Sequence, residues 1–256
     1  DPGNLDYSQI TYGRLSSLAG AASVEWILQA GELASAGRIQ AIVTGPINKE
    51  ACNMAGYHEV GHMEIFQRQT NATEVATMLM ARRLRVVHLT THRSLRIACE
   101  YVTKENVLEK IKLTDKHFRL WGFPEPRIGV AALNPHSSDG GLLGDEEQQQ
   151  IEPAVASARS LGINAIGPVP ADTVFVQAID GEYDVVLAMY HDQGHIPIKV
   201  HDWARSVSVN LGLPFTRTSV DHGTAYDIAG KGMADPVSMV EAIKTAVAVV
   251  SEGRLP

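Results

Sequence analysis

Three histidines stand where strand-like runs give way to polar residues: His92 in LTTHRSL, His136 in LNPHSSDGG and His191 in MYHDQGH. Neutral imidazoles that converge on one point can hold a divalent ion and leave positions open for substrate. Each histidine alone can also be read as a capping or packing residue, and their wide separation matches no local metal motif. What they share is position, because polar residues at the carboxyl ends of strands recur as active sites in α/β folds.

Three other segments carry candidate chemistry. NPHSSDGGLLGDEE (134–147) places glycines and short polar residues ahead of a helix, either as an anion cradle of backbone N–H groups or as an ordinary Gly-rich turn. YHDQGHIPIK (190–199) reads as a loop that is partly buried, because Ile196 and Ile198 flank Pro197. Its Lys199 either meets an acidic substrate or lies on the surface. DHGTAYDIAGKGMADP (221–236) is too rich in Gly and Ala for helix or strand and reads as a long ordered loop. The chain has no GxGxxG, no GxxxxGK[ST] and no GxSxG, which argues against a Rossmann nucleotide site, a P-loop and a serine hydrolase.

The elements that must position these residues alternate between strand and helix, which predicts a layered α/β fold. Residues 14–36 carry small and apolar side chains at helical spacing, ended by Gly37. Strands are expected at 38–46, 84–92, 127–136 and 183–191. Thr103 is a candidate N-cap for a helix running to about Trp121, and Asp145-Glu146-Glu147 would begin another. Residues 237–253 form a closing amphipathic helix.

Composition narrows the function classes. The 256 residues carry 22 Lys plus Arg against 29 Asp plus Glu, a net charge of −7. That acidic balance, with no basic run, makes a poor nucleic-acid binder. Hydrophobic residues at 45% and charged residues at 20% describe a globular chain. Cys52 and Cys99 have no CxxC spacing, so a reducing cytosol is the expected, cytoplasmic setting. No apolar run is long enough to span a membrane, and no stretch reads as a signal peptide.

VTGPINKEA (43–51), GHMEIF (61–66), TTH (90–92), LNPHSSDGG (133–141), GPVPADTVF (167–175), MYHDQGHIPIK (189–199) and LGLPFTRTSVDHGTAYDIAGKG (211–232) resemble the PdxA family of 4-hydroxythreonine-4-phosphate dehydrogenases and their phospho-threonate and phospho-erythronate relatives. The likeness runs in order along nearly the whole chain. It implies an isopropylmalate dehydrogenase-like α/β fold, with two α/β/α domains and the active site in the cleft between them. Residues 1–50 plus 205–256 would form the cofactor-side domain, and 51–204 the metal, substrate and dimerisation domain. Family members open with a strand and a GDPxGIGPE-type turn ahead of the point where this chain begins, so the resemblance implies that an N-terminal segment is missing.

The resemblance also implies roles. His92, His136 and His191 would hold the metal (Zn²⁺, Mg²⁺, Mn²⁺ or Co²⁺). His62, Lys199, Ser208, Asn210 and Arg217 would bind the small anionic substrate. His222, Gly223, Thr224, Ala225, Asp227 and Ile228 would meet NAD or NADP. Asp172, Lys199 and His195 are catalytic candidates, and the general base is Asp172, His195 or a water. A homodimer with the site at its interface is implied, His191 and Lys199 coming from the partner. The implied reaction is oxidation of a 4-phosphorylated four-carbon 3-hydroxy acid with decarboxylation. Met63 replaces an expected Thr and Ser208 an expected Asn, which keeps open a non-phosphorylated hydroxy acid or a cyclic dihydrodiol carboxylate. A non-catalytic metabolite-binding homologue is the reading from another class.

Overall fold

The computed structural model describes residues 2–58 and 61–256. Helix α1 (Ser17–Ser35) begins where Ser16 accepts a hydrogen bond from the Ala19 N–H, and its chain turns away at Gly37, whose φ of +67° suits glycine. Strand β1 (Ala41–Thr44), α2 (Lys49–Met54) and α3 (His62–Thr70) follow. Strands β2 (Ala76–Ala81) and β3 (Leu84–His88) form a hairpin, succeeded by α4 (Leu95–Glu100) and α5 (Lys104–Leu120). Thr103 caps α5 as its sequence predicts, accepting from the Asn106 N–H. Then come β4 (Ile128–Ala131), α6 (Glu152–Ser160), β5 (Ala165–Val169), α7 (Val174–Ile179), β6 (Val185–Ala188) and α8 (His191–Asp202). Strands β7 (Val207–Leu211) and β8 (Thr216–Val220) precede the closing α9 (Val237–Val247).

Among the described residues, eight strands make one sheet in the order β1-β8-β7-β2-β3-β6-β4-β5. β3, β6, β4 and β5 run parallel, while β2 and β7 are antiparallel to both their neighbours. One face buries Met78, Met80, Val87, Ile128, Val130, Leu187, Val207 and Val209 in the largest apolar core, with Ile111 and Phe118 of α5. On the other face, Leu79, Val86, Val186 and Ala188 pack with Phe175 of α7 and Ile198 of α8. Ile42, Ile65, Phe66 and Val24 form a third cluster under α1 and α3. The proposed two-domain division would place β1, β8 and β7 on one side and β2 to β6 on the other, joined by the β7–β2 ladder. No helix is long and apolar enough to cross a membrane among the described residues.

All four expected strands are shorter than the apolar runs that suggested them. β3 stops at His88, β4 at Ala131 and β6 at Ala188, so the three histidines lie just beyond strand ends rather than on them. The segment 190–199, expected as a loop, is instead the first part of α8, with His191 at its first position. Pro197 lies inside this helix, which forgoes one N–H bond there. Gly194 lets α8 press onto β3, because a Cβ there would come within 2.3 Å of His88 Nε2. The acidic run 145–147 leads into a π turn, Glu147–Ile151, that flows into α6. The loop 221–236 holds neither α-helix nor strand, as its composition predicts, and carries one short 3₁₀ turn, Tyr226–Ile228.

His117 ties α5 to the β7–β8 connection. Its Nε2 accepts the Gly212 N–H at 2.9 Å, so the ring must be neutral there. Burial, helped by the Lys116 charge, pushes its pKa down to about 4. The unfolded chain therefore binds a proton that the folded chain refuses between about pH 6.5 and 4, and stability falls as pH drops through that window. The expected loss is on the order of 2 kcal/mol. Urea titrations at pH 7 and pH 4.5 should show His117→Gln losing less stability than the wild type over that interval.

Candidate active site

A cleft of about 450 Å³ opens on the sheet face that carries α8. Its floor follows from strand periodicity. Side chains at alternate positions share a face, and here Ser208 and Asn210 of β7 stand beside Arg217 and Ser219 of β8 and Thr77 of β2. Val207, Val209 and Leu211 point the other way into the core. The walls are His62, Met63 and Glu64 from the start of α3, and His195, Lys199 and the Trp203 turn from α8.

Arg217 dominates the electrostatics. It is 6% exposed, and its Nη atoms donate to two neutral acceptors, Asn210 Oδ1 at 2.9 Å and Thr44 Oγ1 at 2.5 Å. Its Nε and the neighbouring Asn210 Nδ2 are buried donors without acceptors among the described residues. Burial lowers the Arg217 pKa to about 10, an effect opposed by the Glu64 charge. The same burial, and then the Arg217 charge, push His62 down to about 3, so its imidazole is neutral. Gly61 gives α3 no capping side chain, leaving its amino end facing the cleft. Lys199 completes the positive side, stacked 4.7 Å from the Trp203 ring centroid and 3.7 Å from Asp221. Asp221 in turn accepts from Ser206 Oγ at 2.8 Å.

The histidines fall into two groups. His191 stacks on His195 at 3.5 Å between centroids, and the His92 ring lies 6.0 Å from His191. His191 Nδ1 meets the Asp192 carboxylate at 2.6 Å, which leaves Nε2 as the ring nitrogen not engaged by that contact. A carboxylate behind the imidazole is the usual support of a metal-binding histidine. His195 Nδ1 bonds the His191 carbonyl at 2.9 Å, which likewise leaves its Nε2 as an acceptor. Burial, and then Lys49, lower the pKa of His92, keeping it neutral as a ligand requires. The His92–His191 pair thus fits two positions of a divalent ion in type and spacing. His136 does not join them within this chain. It is exposed in a left-handed turn after β4, and no group of three potential ligands is gathered among the described residues.

The structure therefore brings His62, Lys199, Ser208, Asn210, Arg217, His92, His195, His222 and Gly223 to one cleft. Asp172 stays outside it, exposed in the turn between β5 and α7, because β5 is the far edge of the sheet. Thr224, Ala225, Asp227 and Ile228 continue away from the cleft along the loop, with Ala225 in a left-handed conformation. Glu64, Asp221, Thr44 and Trp203 belong to the site or its frame and were not anticipated. Glu64 and Asp221 each sit within two residues of a predicted site residue, His62 and His222, and that proximity was the available signal.

Removing the isolated charge should separate folding from binding. Arg217→Met keeps the volume and discards a buried cation, so ligand-free stability is expected to be equal or higher. Inorganic phosphate at ten times its Kd should stabilise the wild type by about 1.4 kcal/mol. Thermal melts should show no phosphate-induced shift in the variant.

Comparison with known proteins places the chain. Residues 2–246 match the family model described as pyridoxal phosphate biosynthetic protein PdxA. A relative from Fusobacterium nucleatum, provisionally named D-threonate 4-phosphate dehydrogenase, is 45% identical over 95% of this chain and 73% of its own length. The crystal structure of 4-hydroxythreonine-4-phosphate dehydrogenase from Klebsiella pneumoniae superposes with a TM-score of 0.90 at 42% identity, covering 98% of this chain and 76% of that one. A terephthalate 1,2-cis-dihydrodiol dehydrogenase from Burkholderia xenovorans gives 0.70 at 29% identity, over 100% of this chain and 80% of that one. The chain belongs to the PdxA family, with its isopropylmalate dehydrogenase-like fold.

Proposed function

Proceeding from that membership, we propose that the chain is an NAD(P)-linked dehydrogenase that oxidises a 4-phosphorylated four-carbon 3-hydroxy acid, with loss of CO₂ from the resulting β-keto acid. The observation that carries this reading is the buried Arg217, whose Nε, beside Asn210 Nδ2 at the floor of the cleft, has, like it, no partner among the described residues. Donors held this way suit a multiply charged oxyanion, since charge-assisted hydrogen bonds compensate for their burial. The relatives named for phosphorylated substrates are 42–45% identical, against 29% for the dihydrodiol enzyme.

In the proposed mechanism Arg217, Asn210, His62 and Lys199 grip the anionic tail and convert remote binding into orientation at the hydroxyl-bearing carbon. His92 and His191 would hold a divalent ion such as Zn²⁺, Mg²⁺, Mn²⁺ or Co²⁺, with the third imidazole, His136, which does not reach them within one chain, supplied by a second copy. When bound, the ion supplies positive charge beside the hydroxyl oxygen and the nicotinamide supplies the hydride acceptor. His195, with Nε2 free and facing the cleft, holds the proton released from the hydroxyl. The loop from His222 to Ile228 would carry the cofactor. A second copy of the chain is proposed to cover α8, where Ile196, Val200 and Trp203 form an exposed apolar stripe at i, i+4 and i+7 beside Lys199.

Reduction of NAD⁺ or NADP⁺, followed by absorbance, tests the reading. D-threonate 4-phosphate, D-erythronate 4-phosphate or 4-phosphohydroxythreonine should drive it, and prior chelation of metal should abolish it. Turnover of a dihydrodiol carboxylate with none of the phosphorylated acids would defeat the proposal. His191→Ala should reduce kcat by at least about a hundredfold, within the range of losing a metal's charge stabilisation.

A further inference from the structure

His88, the last residue of β3, has no part in the reaction as drawn. It is 1% exposed and shares a sheet face with Leu84 and Val86, which pack with Ile198 of α8. A hydrocarbon side chain would fill this position without burying polar atoms. The imidazole nitrogens therefore need a reason. Nδ1 lies 3.3 Å from the carbonyl of Thr77 on β2. A carbonyl only accepts, so Nδ1 carries the proton and donates there. Nε2 is left as an acceptor, buried and without a partner among the described residues. Such an atom is costly to keep.

What the ring touches supplies the reason. The His195 ring lies 4.6 Å from it between centroids, tilted by 53°. His195 also stacks on His191 at 3.5 Å, and its Nδ1 is committed to the His191 carbonyl at 2.9 Å. Gly194, the residue before His195, makes the approach possible, because a Cβ there would lie 2.3 Å from His88 Nε2 and 2.9 Å from its Cδ2. The other end of His88 reaches the anion floor. Thr77 pairs with Asn210 across the β2–β7 ladder, and Asn210 Oδ1 accepts from Arg217. One buried imidazole thus bridges the strand beside the floor and the histidine that faces the cleft.

We propose that His88 is a positioning residue for His195. Its Nδ1–H, fixed on the Thr77 carbonyl, sets the plane of a buried ring. That ring and the bond to the His191 carbonyl together keep His195 in one orientation, with Nε2 toward the cleft. Leucine would fill the space without an oriented face, and asparagine would keep the donor for Thr77 without the ring. The proposal rests on the reading of His195 as the group that takes the hydroxyl proton.

The test is nitrogen NMR of the imidazoles in the ligand-free full chain at about pH 8, above the ordinary histidine range. The His195 signals are assigned by their loss in His195→Gln. The wild type should show His195 in the single Nδ1-protonated form. His88→Leu and His88→Asn should show both tautomers, with the near-UV circular dichroism spectrum and inorganic phosphate affinity retained. Their kcat on a phosphorylated acid should fall about 10- to 100-fold at nearly constant KM, the scale of a small misplacement of a catalytic group. In a His195→Gln background the same substitutions should change kcat by less than about twofold, because the two residues act as one unit. A single Nδ1-protonated His195 in either natively folded variant would overturn the proposal. So would an equal loss of kcat in both backgrounds, which marks general loosening. If His88→Leu does not fold, His88→Asn decides the matter alone. If the wild type turns over no phosphorylated acid, the functional reading fails and the tautomer comparison still decides on His88. Failure of the His195 reading shows separately, as wild-type kcat in His195→Gln; that result overturns both.

Discussion

A guanidinium buried in a sheet face, with no carboxylate at hydrogen-bond distance among the described residues, is the constraint around which the site is arranged. Among the described residues, Arg217 is hydrogen-bonded to the neutral oxygens of Asn210 and Thr44. Burying an unpaired cation is costly, and its persistence makes sense where a ligand brings the opposite charge. The surroundings obey that requirement. His62 is kept neutral by burial and by the same cation. Glu64 lies close enough to raise the Arg217 pKa but is absent from its hydrogen-bond partners, so an oxyanion meets donors rather than a competing carboxylate.

The sheet supplies the second half of the geometry. The carboxyl ends of β3, β6 and β4 lie side by side, and the chain leaves each of them toward His92, His191 and His136 in turn. Within one chain only His92 and His191 come together. Gln193 donates to Ala132 O and Glu147 accepts from the Leu133 N–H, which anchors the third loop just ahead of its left-handed turn. The anion floor and the histidine edge meet at His92 and His195, which line the same cleft as Arg217. In the proposed reading, a hydroxy acid held by its anionic tail would lie with its other end toward the imidazoles.

Much of this was legible in the chain. The cap at Thr103, the turn at Gly37 and the long loop after Asp221 follow from local chemistry, and the structure keeps them. Strands β2, β7 and β8 were harder to see. VSVNL and TRTSV alternate apolar and polar residues, and their polar halves are the cleft floor, so functional residues obscure the strand signal. The helix through Pro197 defied local propensity because packing of Ile198 and the Gln193 bonds outweigh one lost hydrogen bond. All five substrate residues implied by the family likeness reach the cleft, while Asp172 and His136 could not be placed from sequence. Their positions depend on strand order, which spacing along the chain does not encode.

The central claim is that the cleft recognises the phosphate of its substrate through Arg217. Calorimetric titration with D-threonate 4-phosphate and with D-threonate, both in the presence of divalent metal, tests it directly. Charge-assisted bonds to a phosphate predict roughly 10- to 100-fold tighter binding of the phosphorylated acid, with that advantage lost in Arg217→Met. Equal affinity for the two acids, or an advantage that survives the substitution, would contradict the account.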